Sequence, residues 1–453
     1  MGKKKRDELI ILKRATQGRG FQTPNYSPGV RNILVVLGKW YLRHFEGVDS
    51  VEIKHETTLM QEFARFDQKK TLLILAFRHV AKEDAPTLMY ALNRNLQRQI
   101  KKAHPTNRHI ITHAQFLYGK DVLNWAGSAA AWLFPKIGCV PVQNRGSNKQ
   151  GLDILRKAMN EGDFPIALAP ESQVTYHMYR TSGLSQGVAS LAYWGTLTGK
   201  EVTILPIAIA YRHAHQSEDF IRSVLLRWEK QTGKALQNRA CEPILDLLAT
   251  ALQETLSLLE DLYHLEADGE QRSHEQRIKR ICEKALSEAE SLCELKAEGS
   301  FLDRVFRIRF KGEEAVHPDL FDPKKLPLLS RSIADFRSLQ AHVYLRHAQI
   351  VDILQYLDLD YLQAPCSEGR ACEFALNLLD VINRMQGGNI ASRFTPKHKK
   401  AVLFIGKAIT LEGMKKPLSR KQGLMSTMDK VYASLQKTSE ELESYWEKNY
   451  FKH

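Results

Sequence analysis

Short apolar segments of strand length alternate with stretches of helical periodicity between residues 71 and 210, and this alternation constrains the fold more than any other feature. The candidate strands are residues 71–77, 108–112, 138–143, 164–169 and 202–210, and the candidate helices between them are residues 84–102, 119–134, 149–161 and 184–198. Strands that alternate with helices are typical of a sheet with helices packed on its faces. We therefore expect an α/β domain, a sheet flanked by helices, over residues 30–215.

After about residue 240 the spacing of apolar residues becomes helical. Leucines recur at three- and four-residue steps, with Thr255 filling the one gap, and they are Leu245, Leu248, Leu252, Leu259 and Leu262. The same spacing returns between Ile278 and Leu295, after a polar loop. Two antiparallel helices explain this pattern, so we predict a helical hairpin inserted over residues 216–300.

Apolar and basic residues then alternate between Phe306 and Phe310, with Ile308 on the same face as both phenylalanines. A period of two is typical of a strand. We predict that residues 301–322 hold a strand that returns to the sheet and closes the α/β domain. Beyond a proline-bearing stretch the pattern is helical, which predicts an all-α C-terminal domain over residues 323–453.

The formal net charge of +14 is concentrated partly in a basic N-terminal segment, residues 1–29, and partly between Lys397 and Lys421. Nucleic acid, an anionic membrane surface and an acidic carrier protein are all partners for such charge, and a solvated basic face explains it equally well. The clusters lack the interleaved aromatic residues typical of nucleic-acid binding, which argues against that partner.

The sequence holds no run of about 20 apolar residues, so we expect no membrane-spanning segment. The apolar group at residues 9–12 is too short for the core of a signal peptide. The six cysteines form no Cys-x-x-Cys pair and no zinc-type spacing with histidine, so we expect neither disulfides nor a metal site. These features predict a cytoplasmic protein whose contact with a membrane is peripheral, at its inner face.

One histidine and one aspartate stand five residues apart, at His79 and Asp84, between the end of a candidate strand and the start of a helix. Two side chains five steps apart do not meet on one straight helix, but across a turn they can. The same spacing occurs at His44, His317 and His347, but only His79 directly follows a strand. Open α/β sheets bind ligands at this edge, which makes His79 the candidate base. Asp84 is equally suited to cap the helix, and the two roles are compatible.

Three later strands carry further candidate residues. Arg145 and Gly146 follow the strand at 138–143, Glu171 and Ser172 follow the strand at 164–169, and Pro206 lies within the strand at 202–210. In this order the four segments resemble the four motif blocks of the glycerolipid acyltransferase family, which includes glycerol-3-phosphate and 1-acylglycerol-3-phosphate acyltransferases. The resemblance covers about residues 30–212, and residues 305–313 are similar to the closing strand of that family.

The resemblance implies an enzyme that transfers a fatty acyl group from a thioester to a glycerol-phosphate or lysophospholipid hydroxyl. His79 is then the general base, and Asp84 holds its tautomer and stabilises the imidazolium. The donor is acyl-coenzyme A or acyl-carrier protein, and no cofactor is implied.

For the substrate-binding residues, the resemblance implies that Arg145 contacts the acceptor phosphate, beside Gly146, and that Glu171 binds the acceptor. Ser172 and Arg78 complete the implied set. Arg78 stands where the family usually has asparagine, and Ser172 where it usually has glycine. An ion pair between Arg145 and Glu171 that is purely structural is the alternative for these two residues.

A non-catalytic lipid-binding scaffold on the same fold is the rival hypothesis, motivated by the altered block at Ser172. The joint presence of His79, Asp84, Arg145 and Glu171 favours the enzyme. A nucleic-acid-binding protein rests on charge alone.

Overall fold

The computed structural model describes residues 14–103, 110–143, 149–213, 217–237, 241–265, 272–362, 366–412 and 420–450. These residues form a mixed α/β fold in which a mostly parallel eight-stranded sheet is flanked by helices, with a large helical region beside it.

The strands of the sheet are β1 (Val48–Lys54), β2 (Thr71–Phe77), β3 (Gln115–Gly119), β4 (Val140–Val142), β5 (Ile166–Leu168), β6 (Glu201–His213), β7 (Lys399–Ile405) and β8 (Ile409–Leu411). Their order across the sheet is β1-β7-β6-β2-β5-β3-β4, and β8 pairs with β6 in line with β7. Strand β6 pairs antiparallel with β7 and β8, and the remaining neighbours are parallel. The carboxyl ends of β2, β3, β4, β5 and β6 therefore meet at one edge.

All seven residues of β2 are buried, because helices cover both faces of the sheet at its centre. Side chains at Leu73, Leu75 and Phe77 pack into one apolar cluster, and those at Leu72 and Ile74 pack into another on the opposite face. The unbroken apolar run is thus the mark of a central strand.

The helices within the α/β part are α1 (Pro28–His44), α2 (Glu56–Asp67), α3 (Asp84–Tyr90), α4 (Gln97–Ala103), α5 (Val122–Trp125), α6 (Gly127–Lys136), α7 (Lys149–Glu161) and α8 (Gly187–Thr196). A π-helical segment, Ala91–Leu96, joins α3 to α4. Helices α1 to α4 contribute to the core on one face of the sheet. Helices α7 and α8 cover the other face together with the last helix, α15 (Arg420–Tyr450).

Between β6 and β7 the chain leaves the sheet and forms a helical region with its own core. Its helices are α9 (Ser217–Thr232), α10 (Ile244–Leu262), α11 (His274–Cys293), α12 (Phe301–Val316), α13 (Leu328–Leu354) and α14 (Glu368–Met385), with single 3-10 turns at Pro323–Lys325, Leu359–Leu362 and Ile390–Ser392. Helix α13, of 27 residues, packs against α11, α12 and α14 and so organises the region.

The predicted closing strand within residues 301–322 is wrong, because this segment contains helix α12. Ser300 caps the helix in a reciprocal pair with Asp303. The buried residues of the helix include Val305, Ile308 and Val316, at three- and four-residue multiples rather than alternate positions. Five residues of apparent alternation were too short a window to separate the two periods.

The predicted boundaries of the insertion and of the C-terminal domain also need correction. The excursion from the sheet runs over residues 217–398, not 216–300, and the helical pair α10 and α11 is only part of it. Residues 323–453 are not all helical, since β7 and β8 lie there and join the sheet. Because basic residues precede Ala401, the sequence pattern did not indicate the short buried strand β7.

One strand of the α/β part is also displaced from its predicted position. Strand β3 begins at Gln115, whereas the prediction placed a strand at 108–112. Residues 104–109 lie outside the described part of the chain, and residues 110–114 have no regular structure. The displacement is larger than that of any other predicted strand in the sheet.

Candidate active site

A cavity of about 2750 Å³ lies over the carboxyl edge of the sheet, where His79 follows the central strand β2. Residues after β2, β3, β4 and β5 line one side of it, and helices α12 and α13 line another. The sheet topology therefore brings His79, Glu171 and Ser172 to the same cavity as the helical region.

His79 and Asp84 meet across the turn between β2 and α3, as their spacing predicted. The Nδ1 atom of His79 lies 3.0 Å from Oδ2 of Asp84. Asp84 is fully buried, whereas the His79 side chain is 25 % exposed and lines the cavity. A carboxylate at Nδ1 fixes the tautomer in which Nδ1 carries the hydrogen, which leaves the lone pair on Nε2. No residue in the described part of the chain bonds to Nε2.

The Asp84 carboxylate accepts two further hydrogen bonds, from the Ala81 backbone N–H at 2.8 Å and from the Tyr211 hydroxyl at 2.7 Å. Burial raises the pKa of Asp84, and the hydrogen bonds from His79, Ala81 and Tyr211 oppose that rise. Burial also raises the pKa of Tyr211 well above its usual value, so its hydroxyl remains a donor. Three donors thus hold the carboxylate in one orientation toward His79.

Asp84 does not cap helix α3 in the expected way. The N-cap position belongs to Glu83, which makes no capping side-chain bond, and Asp84 is the first helical residue. Its side chain turns back to Ala81 and His79 instead. The structure therefore supports the orienting role and not the capping role.

The backbone of His79 is held on both sides. Its N–H donates to Oε2 of Glu171 at 2.9 Å, and its carbonyl accepts from the backbone N–H of Thr175 at 2.7 Å. Both partners belong to the loop that follows β5, the neighbour of β2 in the sheet. The loop fixes the position from which the imidazole projects.

Arg78 and Glu171 form a completely buried ion pair behind His79, with 2.7 Å between Nε and Oε1. The other donors of Arg78 go to the carbonyls of Met178, His177 and Arg180 and to the hydroxyl of Ser439, a residue of helix α15. All five N–H groups of the guanidinium are thus used within the protein.

These contacts revise two predicted roles. Arg78 and Glu171 were expected to bind substrate, but each has no more than 1 % of its surface exposed and each is occupied by the protein itself. Glu171 pairs with Arg78, and the alternative pair with Arg145 lies outside the described residues. Arg78 is bonded wholly within the protein, whereas Glu171 holds the backbone of His79 and also borders the cavity.

Ser172 lines the cavity and adopts a φ of 58°, in the left-handed region that glycine enters most easily. Its hydroxyl donates to Oγ of Ser185 at 2.7 Å. The turn after Glu171 therefore has a backbone shape that favours glycine, although serine occupies it. Arg145 and Gly146 lie outside the described residues.

The other three histidines of the same spacing have different surroundings. The imidazole of His44 bonds the Trp40 carbonyl, that of His317 bonds the Thr16 hydroxyl, and that of His347 bonds the Tyr263 hydroxyl. The position after β2 is therefore what brings His79 to its aspartate.

Tyr211, at the carboxyl end of β6, was missed by sequence reasoning. The sequence did contain a signal for this residue. Tyr211 directly follows the predicted end of β6 at residue 210, and the carboxyl end of this strand reaches the same edge of the sheet as His79. A buried ion pair between Lys399 and Glu83 packs against it, with the ammonium 5.2 Å from the centre of the Tyr211 ring. Lys399 was predicted as part of a basic surface cluster, and this assignment is wrong because the side chain is 2 % exposed.

Large apolar side chains are exposed on segments that also contribute residues to the cavity wall, and we call this set the apolar rim. Its members are Ile33, Val36, Leu37 and Trp40 of α1, Trp125 of α5, Trp132 of α6, Leu320 and Phe321 after α12, and Leu328, Leu329, Ile333 and Phe336 of α13. Leu37, Trp40, Trp125, Leu320 and Phe321 also line the cavity. Exposed apolar side chains that form a patch mark a contact with lipid, ligand or protein.

Of the basic residues between Lys397 and Lys421, Lys397, Lys400, Lys407 and Lys421 are exposed. Lys415, Lys416 and the N-terminal cluster at residues 3–6 lie outside the described part of the chain. Among the helices that the structure describes, none combines the length and apolarity required to cross a bilayer. In the same residues, no group of three histidine, cysteine or acidic side chains is arranged to hold a metal ion.

Comparison of the chain with protein-family models and with curated proteins gives no match.

Proposed function

We propose that this protein is an O-acyltransferase that moves a fatty acyl group from an acyl thioester to the hydroxyl of a glycerol phosphate or lysophospholipid. The observation that carries the proposal is the His79 and Asp84 pair, with Nε2 of His79 open to the large cavity. The order of the four sequence blocks supports the choice of reaction. So does the glycine-like backbone of Ser172, at a position where acyltransferases of the glycerolipid family usually have glycine.

In the proposed reaction, Nε2 of His79 removes the proton of the acceptor hydroxyl as its oxygen attacks the thioester carbonyl carbon. The resulting tetrahedral intermediate collapses, the carbon–sulfur bond breaks, and an ester forms. The departing thiolate takes the proton back from the imidazolium, so the histidine returns to its starting state.

Asp84 lowers the free energy of the imidazolium that forms during attack, because its buried carboxylate lies against Nδ1. Arg78 and Glu171 contribute by fixing the backbone at His79. The proposed reaction requires no metal or organic cofactor, and its donor is acyl-coenzyme A or acyl-carrier protein.

The apolar rim supports a lipid substrate that enters from a membrane surface. Tryptophan and aliphatic side chains of the apolar rim favour the interface between water and acyl chains, and exposed lysines elsewhere on the protein attract anionic headgroups. We propose peripheral attachment to the inner, cytoplasmic face of a membrane, with the rim in contact with lipid.

The test uses purified full-length protein with radiolabelled acyl-coenzyme A or acyl-carrier protein, offered with glycerol 3-phosphate or with lysophosphatidate. We expect labelled ester in at least one combination. His79→Ala should reduce the rate by about 10²- to 10⁴-fold, because loss of a general base has this effect. His44→Ala is the matched control, since this exposed histidine has the same spacing to an aspartate and should not affect the rate.

The lipid-binding scaffold is the second candidate, and the apolar rim is the observation that favours it. It predicts binding of lysophosphatidate vesicles without ester formation, equally in the wild type and in His79→Ala. Product formation that is unchanged by His79→Ala would contradict the proposed mechanism.

A further inference from the structure

The cavity extends from His79 to a second wall in the helical region. Helix α13 contributes Arg346 and Gln349 to this wall, α12 contributes Arg309, and the turn after α14 contributes Gly387 and Asn389. None of these residues belongs to the sequence blocks that pointed to His79.

Arg346 differs from the other arginines near this wall because no described residue pairs with it. Arg309 pairs with Asp352 at 2.6 Å, and Arg384 pairs with Asp380 at 3.1 Å. Among the described residues, no carboxylate or other acceptor bonds the half-buried guanidinium of Arg346. Burial lowers the pKa of Arg346, and no neighbouring acid opposes that change. A charge that is partly removed from water without a partner is costly, and such a group is typical of a binding site.

The fold leaves space for this guanidinium at Gly387. A Cβ atom at position 387 would lie only 2.1 Å from Nη1 of Arg346 and 2.9 Å from its Cζ. The turn after α14 therefore fits around the guanidinium, which lies against glycine backbone at the cavity wall. A planar guanidinium with unused donors suits the oxygens of a phosphate.

The position of Arg346 in the cavity restricts which phosphate it can bind. Helix α13 continues for eight residues from Arg346 to Leu354, about 12 Å along its axis. Just beyond, the Tyr356 hydroxyl accepts a hydrogen bond from Gln173, in the loop that holds the backbone of His79. The guanidinium of Arg346 lies instead against Gly387, just beyond the carboxyl end of α14.

A glycerol-phosphate acceptor carries its phosphate only a few bonds from the hydroxyl that reacts, so that phosphate stays close to His79. An acyl thioester built on a phosphopantetheine arm carries its phosphate at the far end from the reacting carbon. We propose that Arg346 binds a phosphate of the acyl donor, on coenzyme A or on the arm of an acyl-carrier protein. This inference rests on the proposed acyltransferase function.

The test measures binding of three probes to the full-length protein by calorimetry: coenzyme A, holo-acyl-carrier protein and pantetheine, which has no phosphate. We expect Arg346→Ala to weaken the binding of coenzyme A or of the carrier protein by about 10- to 100-fold, because removal of a charge-assisted hydrogen bond to phosphate usually has this effect. Pantetheine should bind both forms equally. Arg346→Lys should recover part of the affinity.

Arg337→Ala is the matched control, because Arg337 is an exposed arginine on the same helix that does not line the cavity. Equal affinity of the Arg346→Ala and Arg337→Ala variants for both phosphate-bearing probes would overturn the inference, as would a wild type that binds neither. The probe that responds to Arg346→Ala identifies the source of the phosphate.

Kinetics separate this inference from the proposed function. If the wild type transfers acyl groups and Arg346→Ala leaves the KM of both donors unchanged, the phosphate site is wrong and the function stands. A rise in the KM of the acceptor alone would also exclude the site. If Arg346 is needed for coenzyme A binding but no acceptor is acylated, the site stands and the acyltransferase proposal fails.

Discussion

Replacement of Tyr211 by phenylalanine tests whether the buried surroundings of Asp84 serve the reaction. The hydroxyl of Tyr211 donates to Oδ1 of Asp84 at 2.7 Å, and Tyr211 itself does not line the cavity. Phenylalanine retains the ring that packs near Lys399 and removes one of the three donors to the carboxylate. Asp84 would then stabilise the imidazolium of His79 less well.

Hydrogen bonds to charged groups contribute about 1.5–3 kcal/mol. If this loss appears fully in the transition state, kcat should fall by about 10- to 100-fold, since about 1.4 kcal/mol corresponds to a factor of ten. The KM of either substrate should change little, because neither touches Tyr211. This split distinguishes a positioning residue from a binding residue.

Steady-state kinetics with acyl-coenzyme A or acyl-carrier protein give both constants. Tyr344→Phe is a suitable control, since Tyr344 is a buried tyrosine of α13 outside the site. A Tyr211→Phe variant with unchanged kcat, or with a raised KM as its only defect, would refute the argument that Asp84 acts through this hydrogen bond.

Four further predictions can be tested, three from the structure and one, for Arg145, from the sequence. Glu171→Gln should lower the free energy of unfolding by about 3–5 kcal/mol in urea titrations, because it leaves the buried charge of Arg78 uncompensated; a near-neutral change would count against that. Burial raises the pKa of Glu373 to about 8, from an unfolded value of about 4.5. Its contribution to stability should be full below pH 4.5 and lost as the pH rises through about 8, because the folded state holds a proton that the unfolded state releases. Glu373→Gln should lack this loss in urea titrations across that range. Arg145→Ala should raise the KM for a phosphorylated acceptor more than it lowers kcat, and equal damage with an unphosphorylated acceptor would make Arg145 structural. Val36→Asp should reduce sedimentation with anionic vesicles even in high salt, whereas full release of the wild type by salt would show that the apolar rim does not insert.

Much of the sheet could be predicted from the sequence because its central strands are continuous apolar runs. Strand β2 begins and ends where the pattern placed it, and helix α7 does as well. These elements can be predicted from their own residues alone. Burial on both faces of a strand, or on one face of a helix, determines the spacing of the apolar residues within it.

The elements that were mispredicted depend on distant partners. Helix α12 presents five alternating residues, and its identity is settled by the cap at Ser300 and by the buried pair of Arg304 with Glu290 of α11. Strand β7 follows basic residues that appeared to belong to a surface. One of these, Lys399, is buried because it forms an ion pair with Glu83, a residue remote from it in sequence.

At the site, the pair of His79 and Asp84 could be found from spacing and from the strand before it. The role of Arg78 could not, because its partners come from the loop after Glu171 and from Ser439 in the last helix. A substitution for the usual asparagine looked like a change of substrate contact. In the structure, Arg78 belongs to a buried network whose members are remote in sequence.

The position of β7 between β1 and β6 has a consequence for how the chain folds. Among the strands that the structure describes, β1 pairs only with β7, and the carboxyl half of β6 has β7 as its partner on that side. Both pairings can form only after the ribosome has synthesised all the helices between His213 and Lys399. Contacts of such high contact order form slowly. Until then the nascent N-terminal part presents an open, apolar strand edge, a hazard for aggregation that a chaperone would have to cover.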